Sequence, residues 1–160
     1  MPQAVSYWEP DLAGQELKSV SCVIETESPY FRFGFKLISK DGKTLGDVIK
    51  TSDTNLIVHI SRNDWDRPQI GVHKDDVFLT CYFGLRTILT DKKLYSAAKK
   101  LVAQVELRID EHHNAEFFIN GGSCFALPIP VEICRRVAIM AWGDNNPFEV
   151  VVSNFEVMTS

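Results

Sequence analysis

The stretch Val105–Asn120, VELRIDEHHNAEFFIN, decides the fold because apolar residues occupy every second position on both sides of a short polar turn. This alternation is the period of a β-strand. Pairing Ile109 with Ala115 sets Leu107 opposite Phe117 on one apolar face. The stretch therefore predicts an antiparallel hairpin that buries one face.

The opposite face of this hairpin is polar. The same register sets Arg108 opposite Glu116, which is a favourable cross-strand pair. Asn120-Gly121-Gly122 follows as a strong turn signal.

Period-two alternation continues along the chain. One short helix is predicted at Asp91–Lys100 (DKKLYSAAKK), with Asp91 as its N-cap. Eight or more short strands separated by turns predict an all-β sandwich or barrel. The first strand of the hairpin is predicted to begin at Val102 and to end at Ile109. The other predicted strands are Val20–Ile24, Tyr30–Leu37, Asn55–Ile60, Val77–Phe83, Val137–Trp142, Phe148–Val152 and Asn154–Val157.

Length and composition fit one globular domain. The chain has 160 residues, of which 45% are hydrophobic and 24% charged. We expect a single domain over residues 1–160 with its core at about 19–158. The net charge of −4, from 17 basic and 21 acidic residues, argues against nucleic-acid binding. No apolar run approaches the ~20 residues of a membrane-spanning helix.

The four cysteines and the N-terminus favour a cytoplasmic location. Cys22, Cys81, Cys124 and Cys134 form no C-x-x-C pair, so a zinc site or a thioredoxin-like motif is not expected. Buried free thiols are expected instead. Met1–Ala4 does not begin a signal peptide.

The order of features resembles the concanavalin A-like lectin/glucanase superfamily, including its laminin-G-type members. This resemblance implies an all-β fold, a two-sheet antiparallel jelly-roll sandwich with one short helix. That fold hosts lectins, hydrolases and interaction modules, so it does not fix an activity. The matching segments are Phe33-Gly34-Phe35, Val105–Ile109, Ala115–Gly121 and Phe148–Val157.

The functional motifs of this superfamily are absent. No stretch carries the Glu-x-Asp-x-x-Glu of laminarinase-type enzymes, and no Asp-rich metal loop of the legume-lectin type is present. The galectin pattern His-x-Asn-x-Arg is also lacking, since His59–Asn63 contains these residue types in another order.

Residues out of phase with the apolar positions are expected on a concave outer face, where jelly-roll domains often bind ligands. Planar aromatics beside polar groups suit a carbohydrate. The alternative is that these residues form a second layer of packing or are covered by the predicted helix. They are His59, Tyr82, Phe118, Met140 and Trp142.

The loop Arg62–Arg67 combines an aromatic residue with charged and amide groups. Trp65 is the candidate for stacking on a ligand, because Trp is over-represented at binding hot spots. Asn63, Asp64 and Arg67 are candidates for hydrogen bonds. Alternatively, Trp65 caps the core and the arginines pair with the aspartates.

Two further loops carry possible metal ligands. Asp144, directly after Trp142-Gly143, begins an Asn-rich segment that offers oxygens to calcium or to a sugar. Calcium takes 6–8 oxygen ligands, more than this loop supplies, so a plain turn is the alternative. His112-His113 could hold a transition metal or form a solvated loop. No metal ligand or cofactor is assigned, and calcium stays an open alternative.

These observations predict a non-catalytic, carbohydrate-binding module with no assigned catalytic residues. One alternative is an intracellular protein-interaction or oligomerisation domain. Another is a glycoside hydrolase or lyase that uses Glu106 and Glu116. The predicted ligand-binding residues are Trp65 and Trp142 for stacking, Tyr82 for lining the groove, and His59, Asn63, Asp64, Arg67 and Asp144 for hydrogen bonds.

Overall fold

The computed structural model describes residues 4–28, 30–38, 54–62, 69–74, 77–82, 100–124, 129–143 and 148–160. No helix occurs within these ranges. The predicted helix lies outside them except for Lys100, which directly precedes a strand. The strands are β1 (Ala4–Trp8), β2 (Leu17–Thr26), β3 (Phe31–Ile38), β4 (Thr54–Arg62), β5 (Gln69–Lys74), β6 (Val77–Tyr82), β7 (Leu101–Ile109), β8 (Asn114–Ile119), β9 (Gly122–Ser123), β10 (Ile129–Pro130), β11 (Arg136–Gly143) and β12 (Val151–Thr159).

The strands form two antiparallel sheets. Sheet 1 has the order β1-β11-β3-β4-β5-β6, and sheet 2 has the order β10-β8-β7-β2-β12, with β9 paired to β8. Strands distant in sequence are neighbours in both sheets, as in β11 beside β3 and β12 beside β2. The predicted two-sheet jelly-roll sandwich is confirmed.

The hairpin of β7 and β8 has the predicted register. Ile109 pairs with Ala115, Leu107 with Phe117, and Arg108 with Glu116. The turn is closed by Asp110, whose backbone N–H donates to the Asn114 carbonyl. Backbone N–H groups of residues 112 and 114 also donate to the Asp110 carboxylate. The bond from the Asn114 backbone is the main reason that the pKa of Asp110 lies below its ordinary value.

The core lies between the two sheets. Phe33, Leu107 and Phe117 are each at most 1% exposed, so the predicted inward-facing positions are confirmed. Phe35 of β3 contacts Phe117 of β8 edge-to-face, with ring centroids 6.4 Å apart, and this contact joins the sheets.

Four strands of the described part of the chain were not predicted, and the C-terminal strand was divided in two by the prediction. The unpredicted strands are β1, β5, β9 and β10. Of the two strands expected at Phe148–Val152 and Asn154–Val157, residues 151–152 and 154–157 belong to the one strand β12, whereas residues 148–150 precede it and are not in a strand. An irregularity between Ser153 and Glu156, where Asn154 has a φ of 50°, explains the broken alternation.

Strand β1 is one edge of sheet 1, strand β12 is one edge of sheet 2, and these two edges are on the same side of the sandwich. Trp8 of β1 contacts Phe155 of β12 edge-to-face at 4.7 Å between centroids. Beyond β1, the Glu9 carboxylate accepts hydrogen bonds from Nε and Nη2 of Arg136, each at 2.9 Å. This bidentate pair fixes the end of β1 to β11.

The described cysteines are buried free thiols, as predicted, at Cys22, Cys124 and Cys134. Burial raises the pKa of Cys22 and of Cys124 to about 12, because desolvation disfavours the thiolate. The side chain of Cys81 lies outside the described part of the structure. Within the described ranges, the chain has no helix with the length and hydropathy needed to cross a membrane.

Candidate functional site

The centre of the outer face of sheet 1 is His59 of β4, which lies between two glycines on the neighbouring strands. Gly34 of β3 and Gly71 of β5 are its cross-strand partners. The His59 imidazole extends over Gly71, so a Cβ atom at position 71 would overlap the ring. A Cβ at position 34 would overlap the backbone carbonyl of Val58. Only glycine fits on both sides of His59 without a rearrangement.

His59 and the outward-facing residues near it are buried. Lys36, His59 and Ser61 are 2%, 8% and 7% exposed, and Met140 is 8% exposed. They alternate with core residues, so they belong to the face of sheet 1 that points away from sheet 2. The sequence predicts a ligand groove on this face, whereas these four positions are buried.

The two strands that precede the predicted binding loops end at the same end of sheet 1. β4 ends at Arg62 and β11 ends at Gly143, and both ends lie beside the start of β3 at Phe31. β3 separates β4 from β11, so their ends are about 10 Å apart. The segments 63–68 and 144–147, which follow β4 and β11 in the sequence, are therefore attached to sheet 1 at the same end.

A row of residues crosses this end of the sheet. Trp142 of β11 pairs with Arg32 of β3, and Arg32 pairs with Ser61 of β4. Trp142 thus shares the register of the outer face, one row from His59. The structure describes Trp142 through its backbone only.

Tyr82 has a different register. Its backbone pairs with Ile70, whose side chain belongs to the core, while Cys81 pairs with Gly71. Tyr82 is therefore not in the row that contains His59.

The remaining predicted binding residues fall outside the described ranges, and they stay predictions. These are Asn63, Asp64, Trp65, Arg67 and Asp144.

Phe118 lies on the other sheet, so its predicted position on the same face as His59 is wrong. It belongs to β8 and pairs with Glu106 on the outer face of sheet 2. The alternation correctly gave it an outward position, but periodicity does not say in which sheet a strand lies. The guanidinium of Arg108 stacks on the Phe118 ring, 4.2 Å from its centroid.

The two glutamates considered for catalysis are engaged in the surface of sheet 2. Glu106 Oε1 accepts a hydrogen bond from Nε of Arg108. Glu116 lies opposite Arg108, as predicted, and its Oε2 accepts a hydrogen bond from the Ser123 hydroxyl at 3.2 Å. This arrangement favours a surface ion-pair network over an acid–base pair.

The two adjacent histidines have different partners. His112 Nε2 is 3.4 Å from a Glu111 carboxylate oxygen, and His113 Nδ1 is 3.3 Å from Glu16 Oε1. In the described part of the chain, no three His, Cys, Asp or Glu side chains are grouped as metal ligands.

Lys36, Ser61 and the two glycines were not among the predicted site residues. The alternation in Phe35-Lys36-Leu37 indicates the outward phase of Lys36. The predicted strand Asn55–Ile60 stops before Ser61, whose outward phase follows only if the same alternation is extended by one residue. Their burial and the pairing of both glycines with His59 depend on strands that meet only in the folded chain.

No family model and no curated protein matches the sequence. The fold resembles solved structures. A tetrameric galectin from the ball sponge Cinachyrella sp. aligns with a TM-score of 0.59 and 9% identity, over 96% of this chain and 99% of that one. An alginate lyase from Pseudomonas aeruginosa aligns with a TM-score of 0.57 and 8% identity, over 96% and 68%. A β-glucanase from Bacillus licheniformis aligns with a TM-score of 0.53 and 9% identity, over 99% and 70%.

These similarities establish that the chain has the concanavalin A-like jelly-roll fold. The similar structures include a galectin and two enzymes, so the fold is compatible with binding and with catalysis.

Proposed function

We propose that this protein is a non-catalytic, lectin-like module that binds carbohydrate at one end of the outer face of sheet 1. In this proposal, Trp65 and Trp142 stack on the sugar. Asn63, Asp64, Arg67 and Asp144 hydrogen-bond to its hydroxyl groups. His59, which the sequence also predicted to hydrogen-bond to the ligand, is 8% exposed and is left out of the proposed contacts.

The observation that carries this proposal is the convergence of β4 and β11. Their ends lie about two strand spacings apart, so loops from distant parts of the sequence begin beside the same row of Trp142, Arg32 and Ser61. The rigid sheet beneath would hold these loops, as in many binding sites on β-scaffolds. The similarity of the fold to a galectin supports the same ligand class.

Burial around His59 restricts where a ligand can bind. Because Lys36, His59 and Ser61 are nearly inaccessible, a sugar would contact the loop end of the face rather than its centre. The predicted role of Tyr82 in the groove receives no support from its pairing with Ile70.

The test is a glycan array followed by calorimetry with the best-binding oligosaccharide. We expect Trp65→Ala and Trp142→Ala each to weaken binding at least about ten-fold, the effect of a hot-spot aromatic. Trp8→Ala is the matched control. Trp8 pairs with Ile139 of β11 and therefore lies away from Trp142, which pairs with Val5 at the other end of β1. Absence of binding to every glycan, or unchanged affinity in both variants, would reject the proposal.

A second candidate function is association with another protein or with a second copy, favoured by the exposed edge strands. Five large hydrophobic side chains on β1 and β12 are 42–65% exposed. The two strands are sheet edges that contact each other through Trp8 and Phe155, and large exposed apolar areas often mark interfaces. The sponge galectin with the similar fold is described as tetrameric. The five residues are Tyr7, Trp8, Val151, Val152 and Met158.

Light scattering over a range of protein concentrations tests this candidate. We expect the mass to rise with concentration and Val152→Lys to return it to that of a monomer. Ile133→Lys is the control, since Ile133 is 45% exposed but lies outside both strands. A constant monomer mass, with no partner retained by this surface, would exclude it.

A further inference from the structure

A trough crosses the outer face of sheet 2, on the opposite side of the sandwich from the proposed carbohydrate site. Its floor is Ser19 and Ser21 of β2, which we call the serine trough. Met158 and Arg108 flank Ser19, while Glu156 and Glu106 flank Ser21. Each serine thus lies between two long side chains, and the cavity volume is about 550 Å³.

The β7 wall of the serine trough is held by its own contacts. Arg108 bonds to Glu106 and stacks on Phe118 of β8. The bond with Glu106 raises the pKa of Arg108 above its ordinary value. Because the guanidinium covers one face of Phe118, that face cannot stack on a sugar ring.

The opposite wall is the short segment Glu156–Met158 of β12. Irregularities in pairing lie on both sides of it, between Ser153 and Glu156 and between Met158 and Thr159. Such bulges redirect the side chains next to them. Met158 is 65% exposed, and Glu156 is also exposed, so an apolar group and a carboxylate are presented together.

The charge of the serine trough is negative. Its lining carries four carboxylates and two cations, which gives a net charge of −2, and this favours a cationic ligand over an anionic one. Between Glu106 and Asp110 the wall is about 13 Å long, enough for about four residues of extended peptide. The carboxylates are those of Glu106, Asp110, Glu116 and Glu156, and the cations are Lys18 and Arg108.

From this geometry we infer that the serine trough binds an extended, positively charged peptide segment. A lysine or arginine of the peptide pairs with Glu156 and lays its aliphatic stem along Met158. The serine hydroxyls hydrogen-bond to the peptide backbone. This site is independent of the carbohydrate site on sheet 1.

The probe is an acetylated and amidated Lys-Ala-Lys-Ala-Lys-Ala peptide, titrated into ¹⁵N-labelled protein at low ionic strength. We expect amide shifts confined to β2, β7, β8 and β12. Glu156→Gln should weaken the affinity about three-fold, as for an exposed ion pair. Ser21→Met should weaken it at least about ten-fold, because the new side chain fills the floor.

Glu111→Gln is the matched control, since it removes the same charge from an exposed loop outside the trough. Unchanged affinity in this control, with loss in Glu156→Gln, supports the inference. Equal weakening in both variants, or shifts elsewhere, would overturn it by showing attraction to net charge alone. Stronger binding of the Glu-Ala counterpart, or of a neutral oligosaccharide, would also overturn it. If Ser21→Met does not fold, the shifts in the unmodified protein and the two Gln variants decide.

Discussion

The two outer faces of this sandwich have the same strand alternation but opposite exposure. On sheet 1, Lys36, His59 and Ser61 are at most 8% exposed. On sheet 2, Arg108 keeps 56% of its side chain exposed, and Glu156 is exposed as well. An outward phase in the sequence therefore does not mean contact with water.

The difference also changes what each face can do. Burying polar groups requires hydrogen-bond partners, so substitutions on sheet 1 should act mainly on stability. Sheet 2 keeps its charges in water, where single ion pairs contribute little to folding but remain available to a ligand.

The largest effect is expected for Gly34→Ala on sheet 1. The new methyl group would overlap the Val58 carbonyl, which belongs to the backbone and moves only with its strand. We expect a loss of about 3 kcal/mol in the free energy of unfolding, measured by urea denaturation. Ser19→Ala on sheet 2 is the control and should change stability by less than about 0.5 kcal/mol. Equal stability of both variants would remove the distinction between the faces.

A matched serine pair compares the faces directly. Ser61→Met adds bulk to a buried position and should cost about 1–2 kcal/mol. The same change at Ser21, which is part-exposed, should cost less than about 0.5 kcal/mol. Thermal and urea denaturation of both variants measure the difference. A larger loss at Ser21 would mean that the outer face of sheet 2 is the more closely packed one.

Alkaline pH tests the interior that both faces share. The pKa of Cys22 and of Cys124 is raised to about 12 in the folded chain, so the folded state holds these protons more tightly than the unfolded one. Their contribution is complete below the ordinary thiol pKa of about 9 and is lost as the pH rises toward 12. At pH 10, we expect a loss of about 1 kcal/mol per thiol. Cys22→Val should lessen this loss of stability. Rapid labelling of both thiols in the native protein at pH 8 would contradict their burial and the raised pKa.

The smallest effect is expected for Arg108→Met on sheet 2. This change removes the bond to Glu106 and the stacking on Phe118 but keeps an apolar stem. We expect a loss of about 0.5–1 kcal/mol at low salt that shrinks as salt is added. Arg136→Met, which breaks the less exposed bidentate pair with Glu9, is the comparison and should cost more. A salt-independent loss at Arg108 would assign its role to packing instead.

Most of the predicted strands and the hairpin register followed from local alternation, because a period of two fixes which residues share a face. The β7–β8 register was predicted pair by pair from Ile109 and Ala115. Strands β1 and β5 escaped detection because their segments, AVSYW and QIGVHK, are only five and six residues long. QIGVHK does alternate, with Ile70 and Val72 in the core, but two apolar positions are a weak signal. They are strands because β11 and β4 offer edges to pair with.

The candidate site was less accessible to sequence reasoning. His59 and Phe118 both have the outward phase, yet they lie on opposite sheets, because only long-range pairing assigns a strand to a sheet. The cross-strand neighbours of His59 are Gly34 of β3 and Gly71 of β5, and the sequence alone does not show that these strands flank β4.

The sequence by itself determined an all-β sandwich with inward Phe33, Leu107 and Phe117, because side-chain alternation is a local property of the extended backbone. The tertiary structure decided which outward residues are buried, which strands end together beside Trp142, and where the serine trough forms. These features depend on contacts between residues far apart in the chain, such as Ser21 with Glu156, and no local pattern encodes them.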